Sequence, residues 1–248
     1  MPDNISTFNT DSSGYRDNRP RYPQDVYTLI QRHCPVRDRA WDCGCGNGQV
    51  AIDLTPCFTT IEATDISENQ IANAFRHDKI HYTIQPAEST DFPDNHFDLV
   101  CAAQCLHWFD LDRFFPEVKR VLKPEGLFAC WGYGSFHATP EIDMIIDETL
   151  SAKINPYWAP GNRIVQNGYR NIVFPFAEIN VPDIPMVIEW DVSRLCAYLD
   201  TWSAVKLYNR QHNKDIIASV KPLLERVVPG SMVIRMDFSL YLGRNSIQ

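Results

Sequence analysis

The chain has 248 residues, 44% hydrophobic and 22% charged, a globular composition with room for one good-sized core and a covering elaboration. Its formal charge is −8 with no block of Lys or Arg, whereas a protein that grips a phosphate backbone normally carries a basic stripe. The expected partner is therefore a small molecule and not nucleic acid. No apolar run approaches the roughly 20 residues that span a bilayer. The polar N-terminus, with Asp3 and Asp11, lacks the pattern of a secretory signal, so no membrane partner and a cytoplasmic location are expected.

In chain order, residues 1–22 are polar and read as an arm, followed by an amphipathic helix over 23–33 with Val26, Leu29 and Ile30 at helical spacing and Pro35 beyond it. The pattern then alternates. Strands are predicted over 40–43, 60–64, 80–85, 97–102 and 127–131, and helices over 49–54, 67–75 and 111–122. Ser67 with Gln70 three residues on forms a capping box. The Lys123-Pro124-Glu125-Gly126 turn ends a helix and feeds a strand. Beyond Gly134 prolines and aromatics become frequent. Helices are predicted over 141–153, 192–208 and 215–227, and strands over 174–179, 186–190 and 233–242, the last returning to the sheet edge. The expected fold is α/β: a Rossmann-like, seven-stranded, mostly parallel sheet with helices on both faces and a helical, aromatic covering subdomain. The expected division is 1–34 as arm, helix and lid, 35–134 as the core, 135–230 as the cover and 231–248 as the strand completing the sheet.

The eight cysteines do not read as a disulfide framework. Cys101, Cys105 and Cys130 sit in apolar runs, where a thiol packs as a small hydrophobe. Cys43 and Cys45 flank Gly44 with no CxxC or His cluster to complete a site, so no metal is expected and the thiols are read as reduced.

The sharpest segment is 41–50, WDCGCGNGQV, where the first strand turns into the first helix. Glycines at 44, 46 and 48 remove the side chains that would keep a ligand off the backbone. A dinucleotide turn wants its third glycine where Gln49 stands. With Asp42 two residues before the first glycine, the spacing instead suits a cationic ligand, the carboxylate meeting an ammonium directly or through water. Asp65 ends the second strand, where an acid accepts hydrogen bonds from ribose hydroxyls or else caps the following helix. Ala87 and Glu88 follow the third strand, placed either for an adenine edge or as solvated surface.

Together, WDCGCGNG, the TDIS stretch at 64–67, QPAES at 85–89, FDLVCAAQCLHWFD at 97–110 and VLKPEG at 121–126 resemble the class I S-adenosylmethionine-dependent methyltransferases, methyltransferase type 11. The resemblance implies S-adenosylmethionine as cofactor. It puts Asp42, Gly44 and Gly46 at the methionine end, Asp65 on the ribose, Ile66 on one adenine face, Ala87 and Glu88 at the adenine amino edge, and Gln104 beside the transferred methyl. RDNRPRYP at 16–23 and YLDTWSAVKLY at 198–208 resemble the trans-aconitate methyltransferase-like subgroup.

For the acceptor, Tyr15, Arg16, Arg19 and Tyr22 of the arm either bind substrate, an arginine gripping a carboxylate through paired hydrogen bonds, or pack the arm on the core. His107, beside Trp108, is a candidate general base or a positioning group. Trp202 and Tyr208 are candidates for the pocket wall. The expected activity is methyl transfer to a small molecule, with a carboxylate as the favoured acceptor, since an ionised carboxylate needs no base. Phenol, amine or carbon acceptors stay open, as does a cofactor-binding protein without turnover.

Overall fold

The structure, a computed structural model, describes residues 18–246; Tyr15 and Arg16 of the arm lie outside the described residues. Helix α1 (Gln24–His33) leads into β1 (Arg39–Cys43), α2 (Gln49–Leu54), β2 (Thr60–Asp65), α3 (Glu68–Ala72), β3 (Ile80–Ile84) and β4 (Phe97–Ala103). A 3₁₀ turn (Leu106–Trp108), α4 (Leu111–Val121) and the long β5 (Leu122–His137) follow. Next come α5 (Pro140–Ile146), which runs on through a π-helical turn (Asp147–Ser151), and α6 (Asn162–Gln166). Then β6 (Ala177–Ile179), β7 (Met186–Asp191), α7 (Val192–Asp200), α8 (Ser203–His212), α9 (Ile216–Val227) and β8 (Ser231–Arg244) complete the described chain.

The strands form one sheet in the order β3-β2-β1-β4-β5-β8-β6, with β7 also pairing β8, eight strands in all. The pairs among β1 to β5 are parallel; those of β8 with β5, β6 and β7 are antiparallel. The last strand therefore lies inside the sheet, with β6 and β7 sharing its outer side. Both faces of the central strands are apolar because helices cover both. Along β4, Leu99 and Cys101 pack with α1 and α2, whereas Val100 and Ala102 pack with Phe114 and Val118 of α4. A third core under α5, α7, α8 and α9 gathers Leu150, Tyr198, Leu199, Leu224 and Ile234.

The strand order reverses between β1 and β4, the place where sheets of this kind open a ligand crevice at the strands' carboxyl ends. Local chemistry fixes the neighbouring elements. Ser67 caps α3, its hydroxyl accepting from the Gln70 amide at 3.3 Å. Asp191 and Asp215 cap α7 and α9.

Several expectations need correcting: the sheet has eight strands and not seven, and the last strand lies inside it and not at its edge. The single helix over 192–208 is two, α7 and α8. The Thr201 hydroxyl turns back onto the Tyr198 carbonyl at 2.6 Å and Trp202 leaves helical geometry. The helix over 67–75 stops at Ala72. The Lys123–Gly126 turn does not separate helix from strand: β5 begins at Leu122, and the turn bulges out between Leu122 and Leu127, which pair with Phe97 and Leu99. Glu125 takes a φ of 61° there.

Candidate functional site

The turn between β1 and α2 is built on three left-handed glycines, Gly44, Gly46 and Gly48, with φ of 62°, 54° and 78°. A Cβ on Gly44 would stand 2.9 Å from the Cys105 Cβ, so this glycine lets the turn after β4 pack closely. A Cβ on Gly46 would meet nothing nearer than the Gln70 side-chain oxygen at 4.0 Å. The first glycine thus serves packing, while the second leaves bare backbone facing open space.

Two acids stand at the strand ends. Asp42 is 1% exposed; its carboxylate accepts from the Ala51 amide at 2.9 Å and so holds the first turn of α2. Burial pushes its carboxyl up to about 8, against the opposing pull of the Ala51 amide. Asp65 accepts from the Gly46 amide and the Ser67 amide, each at 2.8 Å, which locks the glycine turn to the end of β2. Burial raises its carboxyl as well, opposed by those backbone bonds. The Ile66 amide adds a third backbone bond to the same carboxyl. Ile66 beside it is 53% exposed, an apolar face presented to solvent. Ala87 is buried, and Glu88 accepts from the Asp110 amide at 3.0 Å, at the start of α4.

Gln104 follows β4 in left-handed geometry, with φ of 55°. Its side-chain amide donates to the Tyr133 carbonyl and accepts from the Tyr133 amide, both at 2.8 Å, continuing the sheet past its end. It also lines a cavity of about 550 Å³ that runs from Gln70, beside the glycine turn, to the covering helices. Arg19 and His107 line that cavity too, as do Tyr133, Asn162, Tyr198 and Trp202. The arm reaches it by a series of tethers: Asn18 accepts from Arg194 at 3.0 Å, the Pro20 carbonyl accepts from Gln49 at 3.1 Å, and Arg21 pairs with Asp53 at 2.9 Å. Between these, the Arg19 guanidinium lies over the Tyr198 ring and donates to the Tyr133 hydroxyl at 3.4 Å.

His107 is 9% exposed, and burial, with Arg19 near it, lowers its pKa to about 3. At neutral pH the ring is uncharged and a weak proton acceptor. Tyr22 packs edge-on against Trp131 and beside Tyr133 and does not itself line the cavity. Tyr208 packs against Tyr157 and His212, also away from the cavity. Gln70, Tyr133, Asn162 and Tyr198 were not singled out by sequence. Only Gln70 had a local signal, as the partner in the Ser67 cap. All eight cysteines are free, and no group of His, Cys, Asp or Glu suited to a metal occurs among the described residues. No helix among them is long and apolar enough to cross a membrane.

A doubly wound sheet with a glycine turn at its switch point and an acid ending the second strand defines a Rossmann-like cofactor-binding protein. Residues 41–130 match the methyltransferase domain family. A solved structure from Anaeromyxobacter dehalogenans, assigned as a type II methyltransferase, is similar over 93% of this chain and 99% of its own, at 36% identity and a TM-score of 0.82. A Dictyostelium discoideum protein assigned as a methyltransferase is 29% identical over 246 residues, 95% of this chain and 92% of the relative. A Saccharomyces cerevisiae protein assigned as an S-adenosylmethionine-dependent methyltransferase is 32% identical over 135 residues, 50% of this chain and 46% of that one. The chain belongs to the class I S-adenosylmethionine-dependent methyltransferases.

Proposed function

We propose that this enzyme methylates a small carboxylic acid held in the 550 Å³ cavity, with residues 18–23 of the arm closing the site as part of a lid. The observation that carries this reading is the wall itself: the cationic Arg19 and an uncharged His107 face a cavity of ligand size that reaches the glycine turn.

The donor set fits the cofactor. Bare backbone at Gly46, the carboxyl of Asp65 and the exposed face of Ile66 suit a ribose and a flat base. The unpartnered oxygen of Gln70, buried beside Gly46, suits an ammonium. In this reading Asp42, Gly44 and Gly46 shape the methionine end, Asp65 and Ile66 hold the nucleoside, and Ala87 and Glu88 flank the adenine. When bound, the cofactor supplies an electrophilic methyl group on a sulfonium.

The chain's own residues align the acceptor and exclude water. Arg19, supported by Tyr133 and Tyr198, neutralises and orients a carboxylate. Gln104, fixed to β5 by both ends of its amide, holds the wall between the two ligands rigid. His107 takes no proton in this scheme, because a carboxylate nucleophile is already ionised at neutral pH. Tyr22 acts by packing under Tyr133.

A second reading rests on Asp143 and Asp147, which line the same cavity and favour an amine acceptor. Calorimetry with S-adenosylmethionine and S-adenosylhomocysteine, beside Asp65→Ala, followed by turnover screens of acids, phenols and amines, separates the two. Methyl esters formed from acids support the first reading. Turnover of amines with none of acids sinks it.

A further inference from the structure

Besides the Gln70 oxygen, two more polar atoms at the cavity wall are buried without a hydrogen-bond partner: Nδ1 of His107 and Nδ2 of Asn162, whose side chains belong to residues 9% and 7% exposed. They belong to segments more than fifty residues apart, joined by one glycine. A Cβ at Gly161 would overlap the His107 carbonyl oxygen, so its absence lets the start of α6 lie against the 3₁₀ turn. That contact puts Asn162 next in chain to the residue resting on His107, on the wall of the same cavity. The rings of Trp158, Tyr198 and Trp202 line the same cavity, with Trp202 packed against both of the others.

A buried amide N–H with no acceptor is destabilising, and an apolar side chain of equal size would serve the fold better. The wall therefore carries a cost that the free protein does not recover. We propose that Asn162 is a specificity-determining residue, its side-chain amide turning to donate a hydrogen bond to an oxygen of the methyl acceptor, with the His107 ring as the second polar contact. The inference rests on reading this cavity as the acceptor site. It narrows the acceptor class: Nδ2 is a donor only, so the group it meets is an oxygen with a free lone pair, a carboxylate in the reading above, and not an ammonium. The remainder of the substrate then lies against the aromatic rings, so the favoured acids carry an apolar body.

The test compares wild type with Asn162→Leu, which keeps the γ-branched shape and removes the amide, and with Asn162→Asp, which replaces the donor with an anion. Melting temperature is read without ligands, cofactor affinity by calorimetry, and KM and kcat on whichever acceptor the wild type turns over. For the Leu variant we expect a melting temperature at or above that of wild type, unchanged cofactor affinity, and a KM raised about tenfold with kcat within about threefold, the scale of one lost hydrogen bond. The Asp variant should raise KM further for an acid. A drop in the melting temperature of Asn162→Leu would show the amide bonded within the fold and overturn the proposal. So would an unchanged KM in that variant, or a lowered KM in Asn162→Asp. If the cofactor binds and acids are not substrates, the carboxylate reading fails separately, and the KM of Asn162→Leu for the acceptor found still decides the role of the amide.

Discussion

The region from β1 to β5 and the covering helices from α5 to α9 share one cavity but dispose of their polar groups differently. In the first, Asp42 is taken by the Ala51 amide, Asp65 by Gly46 and Ser67, Glu88 by Asp110, and the Gln104 amide by both backbone groups of Tyr133. The exceptions there are the Gln70 oxygen and the His107 ring nitrogen, both where that region meets the cavity, and the Trp131 indole nitrogen. In the second, Asn162 on the cavity wall leaves its amide nitrogen unpaired. In the function proposed above, the cofactor cradle is made mostly of glycines and main-chain amides already bonded within the fold, and its acids have structural work of their own. The proposed acceptor wall, made of side chains from distant segments, holds groups in reserve at a cost to stability. The comparison is open to breaking, because substitutions in the two regions should move different quantities.

The largest effect is expected at Gly44. Alanine there meets both a left-handed φ of 62° and the Cys105 side chain, and should cost about 3 kcal/mol or more of folding stability in urea titrations. Gly46→Ala meets only the backbone strain, at about 1–2 kcal/mol, yet its methyl group fills the open space and should weaken cofactor binding tenfold or more, on the order of 1.4 kcal/mol. Equal stability losses in the two variants would erase the distinction between a packing glycine and a ligand-facing one.

Next come the charged contacts, each tied to one ligand. Asp65→Ala should weaken S-adenosylmethionine binding by about 2 kcal/mol, roughly thirtyfold, the scale of a lost charge-assisted hydrogen bond. Arg19→Ala should lower kcat/KM for acids by a similar amount, about 2 kcal/mol or more, with cofactor affinity unchanged. Arg19→Lys should recover part of the loss, keeping the charge without the planar fork. If Arg19→Ala weakened cofactor and acceptor equally, the arm would be a brace for the whole molecule and not a hand on the acceptor.

The same division explains what the sequence made legible. The glycine turn, the acid ending β2 and the Ser67 cap depend on neighbours within a few residues, so their chemistry is written locally, and the strands around them follow from apolar runs buried on both faces. The length of β5 was not legible, because its outer half is strand only through pairing with β8, some hundred residues away. The break between α7 and α8 carries no Gly or Pro; it is made by the Thr201 hydroxyl competing for the Tyr198 carbonyl. Asn162 gave no signal at all. Its place beside the 3₁₀ turn depends on Gly161 meeting the main chain of His107, a contact with no trace in either segment alone.

The stability effect that vanishes at neutral pH concerns His107 and acid. Burial and Arg19 lower its pKa from 6.5 to about 3, so the folded protein resists a proton that the unfolded chain accepts. The unfolded state therefore binds more protons between those values, and stability falls as pH drops through that window, by at most about 1.4 kcal/mol per unit. Above pH 6.5 both states hold a neutral ring and the contribution vanishes. His107→Gln removes this term, so the stability difference between variant and wild type should shift in the variant's favour as pH falls from 6 to 4 and stay constant from 7 to 9. Turnover should show no inflection from His107 near neutrality, and the Gln variant should keep the shape of the wild-type profile while raising the acceptor KM. A wild-type inflection near pH 6.5 that vanishes in the variant would make the ring a proton carrier. The ring would then share in the chemistry instead of only contacting the acceptor.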